Sequence, residues 1–193
     1  MDRPPDELVL ADVGAVARRH RRADLDALHA AIEESRDHLR PFMFWADQSR
    51  ADTAGFLGMA EDGWDEGREF GYLLVDATDG RVLGGGGLHR RGGPETIEIG
   101  YWRRADAGGR GLVTVLAGAL TEAGLALDGI ERVEIHCDVA NTASARVPRR
   151  LGYRLAGVID KPPQAPGETG RQQVWARRRV ERASPSASAS ISA

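Results

Sequence analysis

Residues 103–114 read RRADAGGRGLVT, and they join a strand-like run, TIEIGYW (96–102), to a helix-like run, LVTVLAGALTEAGLAL (112–127). Three glycines between a strand and a helix let backbone N–H groups approach a ligand closely, because no side chain intervenes. The helix after the turn has its first unpaired N–H groups at about Gly109–Val113, where the positive end of the helix dipole favours anions. Arg110 adds a charge there, Arg103 and Arg104 stand at the end of the strand, and Thr114 offers a hydroxyl. Two phosphate motifs fail on this stretch. A nucleotide P-loop needs Lys and then Ser or Thr after its last glycine, whereas Leu112 and Val113 follow Gly111. The glycine spacing of a dinucleotide fingerprint does not fit either. A helix-starting loop that binds nothing is the competing reading.

Working outward, periodicity marks the other elements. ELVL (7–10) reads as a short first strand. DLDALHAAIEESRDHLR (24–40) reads as one helix with Leu25, Leu28 and Ile32 on one face and Asp24 as N-cap. A second helix opens near Asp52 or Thr53 and carries Phe56, Leu57, Ala60 and Trp64. EFGYLLV (69–75) and VLGGGGLHRR (82–91) form a hairpin around Asp79–Gly80, and TIEIGYW follows as the next strand. After the helix from Leu112 come the strand RVEIHCDV (132–139), a helix from Asn141 or Thr142 to Leu151, and two closing strands, YRLAGVID (153–160) and QQVWARR (172–178). This order predicts a mixed α/β fold with one central, mostly antiparallel sheet and about four helices, without the repeated βα units of a doubly wound sheet.

Composition bounds the function. The chain has 193 residues, 41% hydrophobic and 28% charged, with a net charge of −3. That length suits one domain with a real core, here residues 1–180, followed by a Ser/Ala-rich tail (181–193) expected to be disordered. The charge gives no global attraction to nucleic acid or to an anionic membrane. The single cysteine, Cys137, excludes an internal disulfide and a cysteine-rich zinc site, and no metal is expected. No apolar run reaches the roughly 18–20 residues of a membrane span. The N-terminus is too polar for a secretory signal, so a cytoplasmic location is expected.

Two runs, EIGYWRRADAGGRGLVTVLAGAL (98–120) and RVEIHCDVANTASARVPRRLGYRL (132–155), together resemble the GNAT superfamily of acetyl-CoA-dependent N-acetyltransferases, and more narrowly its RimJ/RimL type. The order of elements agrees over roughly residues 6–178. The family's pyrophosphate loop reads Arg or Gln, two variable residues, Gly, a variable residue, then Gly or Ala. Aligned on Gly111, this chain offers Gly108, Gly109, Arg110, Gly111, Leu112 and Val113, with Thr114 next. GRG and Thr114 match, while Gly108 stands in place of Arg or Gln and Val113 in place of a small residue. The resemblance implies that strands 96–102 and 132–138 splay apart and that the pantetheine arm lies between them. Backbone from Ile99 through Tyr101 and Trp102 to Arg103 would bond the arm. Asn141 would anchor it, and Ser144 would sit near the sulfur; that Asn141 only caps its helix is the plainer reading of the residue.

The same resemblance implies catalytic roles. Many members place a tyrosine one helical turn beyond this serine as general acid; here Pro148 occupies that region, which leaves Ser144. A thiol with pKa near 8.5 leaves well enough for weak proton donation to suffice. Glu98, alternating with Gly100 on one face beside the acyl end, is the candidate base, against the reading of a surface strand carboxylate. Glu134 and His136 are weaker alternatives. His89, His136, Phe42 and Trp45 are candidates for the acceptor cleft, and core packing explains the aromatics equally well. Cys137 has no His/Asp arrangement for a covalent mechanism. Acidic Asp47, Glu61, Asp62, Asp65 and Glu66 either favour a cationic acceptor or form a solvated face. The expected function is N-acetylation of a primary amine in a ternary complex, with a protein N-terminus as the first candidate. Alternatives are a small-molecule amine acceptor and a catalytically weak acyl-CoA-binding domain. A homodimer is compatible with any of these.

Overall fold

Eight strands form one sheet in the order β1-β2-β3-β4-β5-β6-β8-β7 in a computed structural model that describes residues 2–179. The strands are β1 (Glu7–Leu10), β2 (Ala15–Arg19), β3 (Glu69–Asp76), β4 (Val82–His89), β5 (Thr96–Arg103), β6 (Arg132–Asp138), β7 (Arg154–Asp160) and β8 (Arg171–Arg178). The helices are α1 (Leu25–Glu33), α2 (Arg36–Leu39), α3 (Arg50–Asp65), α4 (Leu112–Leu125) and α5 (Thr142–Arg150). The tail assigned to residues 181–193 lies outside the described residues. Among those described, no helix is long and apolar enough to cross a membrane.

Three local readings change. β2 was absent from the sequence-based order; Gly14 (φ 59°) turns the chain sharply so that Ala15–Arg19 pairs with both β1 and β3. Its Ala/Arg composition is a weak strand signal, and the strand holds because Ala15 and Ala17 are buried while Arg18 bonds both oxygens of Asp24 (2.9 and 2.7 Å). The helix expected over 24–40 is two, α1 and the short α2, divided at Glu34–Ser35. Asp24 holds the N-cap position of α1 as expected, but its carboxylate accepts from Arg18 and from Arg21 N–H and not from the helix's own N–H groups. The next helix starts before Asp52: Ser49 caps it, accepting from Asp52 N–H while the Asp52 carboxylate accepts from Ser49 N–H.

Neighbouring strands are antiparallel except β5 and β6, which run parallel. Their pairing covers only Thr96↔Arg132, Ile97↔Val133 and Glu98↔Glu134. From Ile99 onward β5 pairs only with β4, and from Ile135 onward β6 pairs only with β8. The expected splay is therefore present, and its vertex is Glu98.

The sheet separates two packed layers. On one face Leu116, Leu120 and Gly124 of α4 pack against Gly86, Leu88, Ile97 and Val133. On the other, Leu28 and Ile32 of α1 and Leu57 of α3 pack with Leu73 and Val75 of β3. The four glycines of β4 allow close approach on both faces. A Cβ on Gly84 would lie 2.4 Å from the Trp102 carbonyl oxygen, and one on Gly85 would lie 2.8 Å from the Trp102 indole nitrogen. Strand glycines cost stability by themselves, and here they are required by contacts that are backbone or rigid ring.

Substituting Gly84→Ala should therefore destabilise the fold by about 1–3 kcal/mol, as overpacking does. Gly55, in the exposed middle of α3 with nothing near its Cβ position, should gain about 0.5–1 kcal/mol as Gly55→Ala. Urea unfolding of both variants checks the opposite signs.

Candidate functional site

A cavity of about 910 Å3 opens on the α1–α3 face and reaches into the gap between β5 and β6. Its walls include Glu98, Tyr101, Trp102, Asn141 and Ser144, together with Phe42, Trp45, His89 and His136. Predicted residues from segments as far apart as Phe42 and Ser144 thus share one cavity. The loop Gly108–Thr114 lies at the start of α4, outside these walls.

That loop is built as a donor cradle. Gly109 (φ 83°) and Gly111 (φ 72°) take left-handed conformations, and Gly111 is the N-cap of α4 without a side-chain cap. Among the described residues, none of the N–H groups from Gly108 to Thr114 has a protein partner; the ladder resumes at Val115 N–H, which donates to Gly111. Successive free N–H groups at a helix N-terminus suit an anion. The neighbouring arginines divide in role. Arg110 turns away to the Val13 carbonyl (2.7 Å) and stands 3.6 Å from Asp76. Arg104 is buried against Glu34 and Asp106. Arg103 folds onto the carbonyls of Arg104 and Ala105, and its guanidinium lies 3.6–3.7 Å from the Cβ position of Gly108. A cation therefore does flank Gly108, supplied by the strand rather than by the loop.

In the gap, Asn141 Oδ1 accepts from Ser144 N–H (3.0 Å), so Asn141 does cap α5. Ser144 Oγ lies 3.1 Å from the Tyr101 hydroxyl, which also donates to the Ser144 carbonyl (3.2 Å). This hydroxyl pair was not legible, because Tyr101 and Ser144 meet only through the splay. Burial pushes the Tyr101 phenol well up, against the pull of Ser144, so it keeps its proton. Burial likewise pushes the Cys137 thiol up, opposed by hydrogen bonds to Ser144 and Trp175; it is a protonated neighbour, poorly suited as a nucleophile.

Glu98 sits at the vertex, 20% exposed, with Arg91 and His136 each 3.9 Å away. His136 bonds Glu134 (2.7 Å), and Arg132 holds the same carboxylate (2.5 Å). His89 is hydrogen-bonded to Glu69. Trp102 turns its ring away from the gap onto Trp45 (5.7 Å, 76°), so only its backbone faces the splay. Phe42 lines the cavity while Phe44, at 68% exposure, stands at its rim. The acidic groups considered for a cationic acceptor pair outside it instead: Asp47 with Arg40, Glu61 and Asp62 with Arg22, Asp65 with Arg19, and Glu66 with Arg68.

A model of the acetyltransferase (GNAT) domain matches residues 16–154. No curated protein gives a match. Among solved structures, RimL, a ribosomal L7/L12 α-N-protein acetyltransferase in complex with coenzyme A, is similar at 22% identity with a TM-score of 0.77, over 86% of this chain and 94% of that one. An acetyltransferase of Salmonella typhimurium that modifies the N-terminal serine of ribosomal protein L7/L12 is similar at 20% identity and TM-score 0.79, over 90% and 99% of the two chains. The microcin C7 self-immunity acetyltransferase MccE, in complex with acetyl-CoA and AMP, gives 21% and 0.79, over 90% and 97%.

One cavity residue couples the site to stability. His20 is 5% exposed, its Nδ1 has no partner among the described residues, and its ring meets Phe56 edge-on at 5.3 Å. Burial, reinforced by Arg18 and only partly opposed by Asp24, pushes its imidazole from 6.5 down to about 4. The unfolded chain therefore takes this proton first. Stability should be full above pH 6.5 and fall as pH drops towards 4, by about 3 kcal/mol at ~1.4 kcal/mol per pH unit. Urea unfolding across this range should show the slope in the wild type and a flatter profile in His20→Phe.

Proposed function

Because the chain belongs to the acetyltransferase (GNAT) domain family, we propose that it transfers the acetyl group of acetyl-CoA to a primary amine, with the N-terminal amine of a protein or peptide as the acceptor. The observation that carries this reading is the splay at Glu98, which joins the cavity to the Tyr101–Ser144 pair. Residues 1–180 act as one catalytic domain on this reading, in the cytoplasm. The free N–H groups of Gly108–Thr114, with the Arg103 guanidinium beside them, fit a diphosphate. The unpaired edge of β5 from Ile99 through Tyr101 and Trp102 to Arg103, with Asn141 across the gap, fits an extended amide-bearing arm. Acetyl-CoA supplies an activated carbonyl and a thiol leaving group, and no metal is needed.

The remaining chemistry belongs to the side chains. Glu98 takes the proton that the acceptor nitrogen sheds as its new bond forms. Ser144, backed by the Tyr101 hydroxyl, gives a proton to the departing sulfur. A peptide α-amine, with pKa ~7.7–8.0, is partly neutral near pH 7, so modest base catalysis suffices, whereas a lysine at ~10.4 needs more. His89 and His136 flank the acceptor beside Glu98, and Phe42 and Trp45 bound its path. The likeness to the ribosomal-protein acetyltransferases supports a protein N-terminus. The likeness to MccE, at an equal TM-score, favours a small-molecule amine as the second reading.

Thiol release from acetyl-CoA with a panel of N-terminal peptides and small amines tests both. Peptide-selective turnover supports the first reading, and turnover with small amines alone supports the second. Glu98→Gln should lower kcat about 10²-fold and Ser144→Ala about tenfold, each with acetyl-CoA binding retained. Cofactor binding without turnover of any acceptor would instead indicate a binding domain.

The cradle makes a separate prediction. Gly109→Val meets nothing within 4 Å at its Cβ but must hold φ 83°. The strain, ~1–2 kcal/mol, should weaken acetyl-CoA binding roughly tenfold by calorimetry, and unchanged affinity would remove the loop from the site.

A further inference from the structure

Strand register gathers a set of groups that the acceptor must meet. Glu69 of β3 pairs with His89 of β4, and His89 pairs with Glu98 of β5, so the three share one face in one row. The adjacent row on that face is Gly71, Gly87 and Gly100. Without side chains, that row leaves a floor over which the His89 ring lies. Nε2 of His89 is 3.2 Å from the Cβ position of Gly87 and 3.3 Å from that of Gly100, so a side chain at either would push the ring away.

The two ring nitrogens differ. Nδ1 is hydrogen-bonded to Glu69 Oε2. Burial pushes the Glu69 carboxyl up, but the hydrogen bond from His89 and the charges of His89, Arg91 and Arg68 outweigh it, leaving Glu69 below the usual range and ionised near neutral pH. An ionised carboxylate only accepts, so Nδ1 carries the hydrogen and Nε2 of the neutral ring keeps its lone pair. Nε2 has no partner among the described residues, and the side chain is 26% exposed on the cavity. The other two cavity histidines are occupied differently. His136 is held between Glu134 and Glu98, and His20 is almost wholly buried, with its ring edge-on to Phe56.

An ammonium nitrogen must lose two protons to become an amide nitrogen, and Glu98 accounts for one. Resting on the acetyl-transfer reading above, we propose that His89, positioned by Glu69, is the base that takes the first proton from the acceptor ammonium before attack. The N–H bond of the ammonium breaks, its electron pair stays on nitrogen, and a new N–H bond forms at Nε2. The positive charge passes to the imidazolium, faced by Glu69 and Glu98, and the proton leaves to water along the exposed edge of the ring.

Two measurements test this. Long-range 1H–15N NMR of the histidine rings in the full chain without substrates should find the hydrogen of the neutral His89 ring on Nδ1, and should find that preference weakened in Glu69→Gln. Hydrogen on Nε2 in the wild type overturns the proposal. Turnover of the best wild-type acceptor is then compared at pH 7 and at pH 9.5, where an α-amine is already neutral. His89→Gln should lose about 10²-fold in kcat/KM at pH 7 and recover to within about threefold of the wild type at pH 9.5. Glu69→Gln should show a smaller loss of the same pH dependence, and Glu98→Gln should remain slow at both. Equal loss by His89→Gln at the two pH values, or no loss, overturns the role while leaving acetyl transfer standing. A wild type that releases no thiol with any amine overturns both.

Discussion

Everything at the site depends on where the parallel pairing of β5 and β6 stops. Three residue pairs hold the strands together and then the ladder ends, at Glu98↔Glu134. An interrupted ladder leaves backbone donors and acceptors without strand partners in the middle of a sheet, a cost that folded proteins usually avoid. It is tolerated because the sheet is fixed on both sides of the break. β5 keeps its antiparallel ladder with β4 through Arg103, and β6 keeps its ladder with β8 through Asp138. The gap is therefore rigid on both walls, and Tyr101 reaches across it to Ser144 at the start of α5.

The helices are placed in relation to that gap. α4 follows β5 and α5 follows β6, so both N-terminal turns lie at the end of the sheet where the strands diverge. Their caps differ in a useful way. α5 is capped by the Asn141 side chain, which satisfies Ser144 N–H and sets the serine against Tyr101. α4 begins on glycine without a side-chain cap, and its first N–H groups stay available. One helix start is closed and orients a hydroxyl. The other is open and offers donors to an anion.

Much of this was legible in the sequence, and the misses have a common cause. Period-two alternation put Glu98 and Gly100 on one face, and the glycine run between a strand and a helix marked the cradle; both are local signals. β2 was missed because Ala15–Arg19 owes its strand character to two neighbouring strands rather than to β-branched residues. The true fates of the arginines were hidden for the same reason. Arg110 is claimed by Val13, 97 positions away, and Arg104 by Glu34, 70 positions away. The Tyr101–Ser144 and Glu69–His89 pairs depend on register and on the splay, which no single segment encodes. The acidic residues of α3 left two readings open in the sequence, since the partners of Glu61, Asp62 and Asp65 are arginines of the distant segment Arg19–Arg22.

The sheet also keeps two sets of polar side chains apart until the gap brings them together. Tyr101, Cys137 and Ser144 belong to the α4 and α5 side, since Tyr101 pairs with Gly86, on which Leu116 and Leu120 rest. Glu98, His89 and the glycine row belong to the α1–α3 side. An intact sheet would separate these sets by a full layer of backbone. With the ladder broken just beyond Glu98, one cavity touches both. The glycines then serve a purpose that strand propensity would oppose. Larger residues at 87 and 100 would strengthen β4 and β5 as strands, but they would fill the floor beneath His89. The fold gives up strand propensity in the two strands where access to the opening requires it.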